Sequence, residues 1–396
     1  MTTPARVVVV GASIGGLTTA ETLRQEGYDG EIVLVGDEAC LPYTRPPLSK
    51  QILMGEWEPG RAEVRSRTEI DDLDIEVRTG CPAIGLDVAG RVLHTSQGPL
   101  AYDEIVVATG STPRRHPGLP TALTLRTVAD AVALRDALRV VGNVAVVGAG
   151  ILGAEIASAA RKYGAETTLI GREDRLGFGG VGTLLSDRLA DLHAAYDVEV
   201  LLRTEVVGSE PATDGTRVTF GDGSVRGFDL VVAMIGATPN TQWLASSALT
   251  LGDGIICDSA GAAAPGVHAV GDVAAWADPA TGRHQRVEHQ SNAIEQAVGI
   301  ATRIVHGTES GRPIPLFWSE IHGTRINAYG WFDPARPLIG DASAAVLTSR
   351  DAADQIRGVV GWNAAPREFR VARAAVSAPS SPAPSRPAEP VEGAIR

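Results

Sequence analysis

At 396 residues the chain is too long for one ordinary core, so two or three domains are expected, and its 44% apolar content is enough to bury them. A formal net charge of −12 argues against nucleic acid as the general partner. Three scattered cysteines, Cys40, Cys81 and Cys257, exclude a disulfide framework and a thiolate metal cage, while the lack of a leader-like start or a bilayer-length apolar run predicts a cytoplasmic protein without a membrane partner.

In chain order, "RVVVV" at residues 6–10 reads as a buried strand, followed by a glycine turn into a helix and by a second strand, "EIVLVG". Gly11 permits the turn and Gly16 lets the helix approach the strand, so that its N-terminal amides face a pyrophosphate. Ser13 stands where the usual pattern has its middle glycine; Ile14 and Gly15 complete the turn. Asp37 lies at the spacing of a ribose-hydroxyl acceptor, with Glu38 as its substitute. Next comes "LPYTRPPLSK", whose Pro46–Pro47 turn is expected to aim a helix beginning at Ser49–Lys50. A strand then ends in Ala108, Thr109 and Gly110.

The glycine device recurs in full as Gly148, Gly150 and Gly153 after "NVAVV", with "AETTLIG" as the next strand, and two such units suggest two dinucleotides. Another strand ends at Gly236, and Gly271–Asp272 is expected after a short strand and before a helix. Ligands of open parallel sheets bind outside these carboxyl ends. The chain closes in a Ser-, Pro- and Ala-rich tail, expected to be disordered over residues 376–396.

The order of "VVVVGASIGG", "LPYTRPPLSK", "VVATGSTPR", "LRTVADA", "VVGAGILGAEIA", "GATPN", "AVGDVA", "RVEHQSNAIEQA", "PLFWSEIHGTRINAYG" and "VVGWNAAPREFR", from Arg6 to about Arg373, resembles the FAD-dependent ferredoxin reductases of oxygenase systems. Apoptosis-inducing factor is a more distant likeness. The resemblance implies an α/β fold with two Rossmann-like dinucleotide-binding domains, arranged as in glutathione reductase, and a small C-terminal α+β domain. An FAD domain would span 1–110 and 236–310, an NAD(P) domain 111–235, and a domain returning to the flavin 311–375. It also implies that Lys50 lies beside the flavin ring and pairs with Glu155, and that Arg45 sits near the flavin or its phosphates. Asp37 would serve the FAD ribose, and Asp272 the ribityl or pyrophosphate side. Trp318 would wall the flavin pocket, with Glu320 near it. Solvated charges for Lys50 and Arg45, and a core role for Trp318, stand as the plainer readings. His289 is placed near the nicotinamide pocket without a required proton.

The reaction implied is hydride transfer from NADPH or NADH to FAD, then single electrons to a two-iron two-sulfur ferredoxin serving a cytochrome monooxygenase or a Rieske-type oxygenase. No clustered cysteines supply a cluster here, so it belongs to the partner. Arg61, Arg65 and Arg67 are either a docking face for an acidic ferredoxin or an ordinary solvated surface. Rival readings are a single-cysteine NADH oxidase or peroxidase using Cys40, and a redox-responsive binding protein like apoptosis-inducing factor. At the second strand end, Gly171 replaces the acidic residue usual in NAD-preferring members and Arg172 follows it, which predicts NADPH use while leaving NADH open.

Overall fold

Residues 4–177, 183–213, 215–279, 281–309, 311–333, 336–341 and 343–376 are described by a computed structural model. The tail reading therefore falls, from residue 377 onward, outside the described residues.

The valine-rich runs form parallel strands covered on both faces, which is why they carry no polar alternation. In strand Arg6–Val10, Val7, Val8 and Val9 are fully buried. It pairs in parallel with Glu31–Val35 on one side and Glu104–Val107 on the other. The six-stranded sheet runs in the order Ala262–Ala264, Val267–Ala269, Glu104–Val107, Arg6–Val10, Glu31–Val35, Ile75–Arg78. Residues beyond 260 thus complete a sheet begun at residue 6. Helix Ile14–Gln25 connects its first two strands and packs against helix Gln290–His306.

A second sheet, all parallel, has the order Val198–Leu201, Glu166–Ile170, Asn143–Val147, Leu230–Ala233. Its first crossover helix, Ile151–Lys162, is buried from Gly153 to Ala160. Small side chains there (Ala154, Ala157, Ala159, Ala160) let it lie close between neighbours. The chain enters this region through strand Ser111–Pro113 and leaves through Ala237–Pro239, and the two pair antiparallel. Asn240 fastens the crossing: its Nδ2 donates to the Thr109 carbonyl at 2.9 Å, and its Oδ1 accepts from Thr112 Oγ1 at 2.7 Å.

An antiparallel sheet, Leu316–Ile321, Thr324–Gly330, Ile356–Trp362 and Val346–Arg350, follows with helix Pro366–Ala374. Ile321, Ile326 and Val360 share a core with Val144 and Val146 of the second sheet and with Leu48 and Ile52 after the first. That shared core brings the last sheet over the junction of the first two.

Two local expectations are corrected. Pro46–Ser49 itself forms a one-turn 3-10 helix, which ends at Lys50 instead of starting there. A proline pair fixes φ for such a turn, but it cannot donate the amides a longer helix needs. Likewise Gly271–Val273 is a 3-10 turn running into strand Ala274–Ala277, and the helix reaching this region begins later, at Gln290.

Candidate active site

Each glycine turn is closed by backbone contact. Gly11 and Gly148 have φ of 117° and 114°. A Cβ on Gly11 would lie 2.2 Å from the Ala108 carbonyl oxygen, and one on Gly148 2.1 Å from that of Met234. A Cβ on Gly16 or Gly153 would strike the carbonyl oxygen of Gly11 or Gly148 at 2.0 and 1.9 Å. These four glycines hold helix against strand and do not line the cavity described next. Gly150 is different: a Cβ there meets nothing within 4 Å, which leaves its space to a ligand. Ser13 occupies the matching place in the first turn and makes no capping bond.

Both turns open onto one cavity of about 560 Å³. Ser13, Ile14 and Gly15 line it from one side and Gly150 from the other. Ala108, Thr109 and Gly110, with Gly236, Gly271 and Asp272, supply the strand ends. Arg45, Lys50, Glu155 and Trp318 come from the loops and the last sheet.

At its floor Lys50 Nζ stands 2.8 Å from Glu155 Oε1, with the two side chains 8% and 5% exposed. Burial of an ion pair demands further hydrogen bonds. They are present: Ser49 Oγ donates to Glu155 Oε2 and Ser319 Oγ to Glu155 Oε1, each at 2.5 Å. The Lys50 ammonium also lies 4.9 Å from the Trp318 ring centroid. Trp318 is 45% exposed, so it is a wall of the cavity, and the core reading is corrected. Glu320, two residues on along the same strand, is exposed.

Asp272 Oδ2 accepts from Arg126 Nη2 at 3.0 Å and from Ser111 Oγ at 3.2 Å. Arg126 keeps its Nε buried without a partner, although burial works against its charge. His289 presents a buried, unpartnered Nδ1, and burial lowers its pKa, which keeps the ring neutral. Both residues line the cavity, and each carries one buried polar atom whose hydrogen bond is unmet.

Glu38, the substitute ribose acceptor, accepts from Tyr43 Oη at 2.6 Å and from Arg45 Nη2 at 2.9 Å. Arg45 also donates to the Arg126 carbonyl. Asp37 is exposed, and one oxygen accepts its neighbour's amide. Gly171 is buried and Arg172 exposed, both away from the cavity lining. Arg65 is engaged by Glu21 at 2.7 Å, while Arg61 covers the Trp57 ring.

Cys40 is exposed and outside the cavity lining. Partial burial, then the Glu38 carboxylate, raises its thiol above the usual value, which disfavours a peroxidatic thiolate. Cys257 is pushed up to about 12 by burial. Among the described residues no group of metal-ligating side chains occurs, and no helix is long and apolar enough to cross a membrane.

Arg126, Ser49 and Ser319 were not singled out in the sequence. Arg126 lies within the quoted "LRTVADA", so its motif was visible while its role was not.

Residues 5–297 match the family described as pyridine nucleotide-disulphide oxidoreductase. The chain is 34% identical over 383 residues to the benzene 1,2-dioxygenase system ferredoxin–NAD(+) reductase subunit of Pseudomonas putida, covering 93% of this chain and 92% of that protein. It is 34% identical to a ferredoxin–NAD(P)(+) reductase of Sphingomonas sp., covering 82% and 80%. The solved covalent putidaredoxin reductase–putidaredoxin complex aligns with a TM-score of 0.88 at 27% identity, over 95% of this chain and 94% of that one.

Proposed function

This chain belongs to the pyridine nucleotide-disulphide oxidoreductase family, and from that premise we propose that it is an NAD(P)H:ferredoxin oxidoreductase. It takes hydride from a nicotinamide and passes electrons to an iron-sulfur ferredoxin that serves an oxygenase. The observation that carries this is the single cavity flanked by both glycine turns, with Lys50, Glu155 and Trp318 between them. Bound FAD supplies the conversion of a two-electron hydride into single electrons.

The residues fit that cofactor. The Ser13–Gly16 turn offers helix amides to a pyrophosphate, and Arg126, paired with Asp272, adds positive charge to the lining of the same cavity. Asp272, neutralised by Arg126, can accept a ribityl hydroxyl, and Asp37 a ribose hydroxyl. Lys50 is held by Glu155, whose carboxylate two serine hydroxyls fix in turn, at a set place for the electronegative edge of the ring. Trp318 and Phe317 exclude water from the far wall. Gly150 leaves room for the nicotinamide dinucleotide on the opposite side.

The division into an FAD unit (1–110 and 236–310), an inserted NAD(P) unit (111–235) and a C-terminal unit (311–375) is part of this reading, as is a cytoplasmic setting. Purified protein is expected to be yellow, to bleach anaerobically with NADPH or NADH, and to reoxidise rapidly with a two-iron two-sulfur ferredoxin. A colourless protein that does not take up FAD overturns the reading. Fast turnover with hydrogen peroxide that Cys40→Ser abolishes would replace it with the oxidase or peroxidase alternative.

A further inference from the structure

We propose that Arg172 and Arg203, on adjacent turns beyond the second sheet, bind the 2′-phosphate of NADPH and make this chain prefer NADPH to NADH. The proposal rests on the second glycine turn holding the nicotinamide dinucleotide.

The first ground is space. A Cβ on Gly171 would lie 2.7 Å from the Ala149 Cβ and 3.1 Å from Leu202 Cδ2. A carboxylate at this strand end is therefore not only absent but excluded unless the dinucleotide turn moves. An acidic side chain there repels a 2′-phosphate and favours the free ribose hydroxyl, so its exclusion removes the usual discrimination.

The second ground is internal. Gly36 ends the corresponding strand of the first sheet, where its Cβ would lie 2.6 Å from that of Ala12, and its amide donates to the Arg78 carbonyl at 2.9 Å. Gly171 repeats both features, its amide donating to the Leu201 carbonyl at 2.8 Å. The residue after each glycine then occupies the same place in two copies of one fold. In the first copy it is Asp37 and in the second Arg172, so the charge is reversed one residue beyond the strand end.

The third ground is a second guanidinium. Arg203 follows strand Val198–Leu201, and its amide donates to the Glu173 carbonyl at 2.9 Å, while the Thr204 amide donates to the Gly171 carbonyl at 3.0 Å. These bonds seat Arg203 against the Arg172 turn. That turn runs on to Gly177, whose amide donates to the Ala149 carbonyl at 2.7 Å, so it is also tied to the glycine turn. The Arg172 and Arg203 side chains are 80% and 79% exposed. Their contacts are weak: Glu173 lies 3.4 Å from Arg172, and Asp174 lies 3.9 Å from Arg203 while holding Arg175 at 3.0 Å. Exposed pairs of this kind contribute little to stability. A phosphate offers charge-assisted, bidentate bonds that displace them.

The test is calorimetric binding of NADP⁺ and NAD⁺ to the flavin-loaded protein, with 2′,5′-ADP and 5′-ADP as probes of the phosphate alone. We expect NADP⁺ to bind at least tenfold more tightly, with a steeper salt dependence. Arg172→Gln and Arg203→Gln should each weaken NADP⁺ and 2′,5′-ADP about tenfold and change NAD⁺ less than twofold, with unaltered melting and flavin content. Equal losses for both nucleotides, or tighter NAD⁺ binding in the unaltered protein, overturn the phosphate assignment while leaving the reductase reading intact. Binding of neither nucleotide overturns both.

Discussion

The two glycine turns are copies of one device in different surroundings. Beside the first, Arg45, Arg126 and Asp272 line the cavity next to a turn that carries the Ser13 side chain. Around the second, a side chain added at Gly150 would meet no neighbour, and the outer turn carries exposed arginines. A strand–turn–helix unit sets where a pyrophosphate lies, while the segments folded over it set how long the ligand stays. The covered copy suits a resident group and the open copy suits an exchanging one.

The sharpest way to break this contrast is at the seam between the copies. Lys50→Met leaves the Glu155 carboxylate buried with only two hydroxyl donors, and a loss of about 3 kcal/mol is expected in urea unfolding of the flavin-loaded protein. Adding Glu155→Leu should restore most of it, whereas electron transfer from NAD(P)H should stay slow in both variants. A single variant costing less than about 1 kcal/mol would mean the pair does not join the two halves.

The open copy also has a pH-sensitive flank, where His193 of helix Thr183–Ala195 meets His322 in the turn after Ile321 at 3.1 Å. His322 stacks on Tyr196, with Arg161 nearby. Burial, aided by His322 for the first ring and by Arg161 for the second, lowers both pKa values from 6.5 to about 4. The folded rings stay neutral while the unfolded chain takes up protons. Stability is therefore full above pH 6.5 and declines as pH falls toward 4, by roughly 2 kcal/mol for the His193 ring by pH 5 and by less for the partly exposed His322. Urea midpoints at pH 7.5 and 5 should show this, and His193→Leu should flatten it. An unchanged slope in that variant would place the proton uptake elsewhere.

The smallest effect sharpens the comparison directly. Gly150→Ser makes the second turn resemble the first, and with no protein atom within 4 Å it should leave folding and flavin content unchanged. The nicotinamide nucleotide should bind several-fold more weakly, at a cost of about 1 kcal/mol. Titration of flavin fluorescence checks it, and unaltered affinity would show that Gly150 does not approach the ligand.

The backbone of this site was legible because glycine is demanded where the chain turns at positive φ, as at Gly11 and Gly148, and where helix meets strand backbone, as at Gly16 and Gly153. Gly11, Gly16, Gly148 and Gly153 each sit within 2.2 Å of forbidding a side chain. The Lys50–Glu155 pair was legible only through family resemblance, since 105 positions separate the partners and nothing local signals a salt bridge. Arg126 was missed because one arginine before a helix looks like any solvated charge until burial is known. Ser49 and Ser319 are equally mute in a sequence, for a serine's meaning is the acceptor it reaches. The bonds of Glu38 to Tyr43 and Arg45 are equally silent in the sequence, and the helix expected after Asp272 was displaced by the strand Ala274–Ala277.

The paired strands Ser111–Pro113 and Ala237–Pro239 carry a consequence for the order of assembly on the ribosome. The second sheet draws only on residues 143–233, so it can close as soon as that stretch emerges. The first has four strands out by residue 107, yet it lacks Val267–Ala269 along Glu104–Val107, and its helix Ile14–Gln25 awaits Gln290–His306. At about 5–20 residues per second, that gap lasts on the order of 10–40 s. For that interval the nascent chain carries an open parallel edge, and the pairing of Ser111–Pro113 with Ala237–Pro239 returns the missing strand to the place where the chain departed.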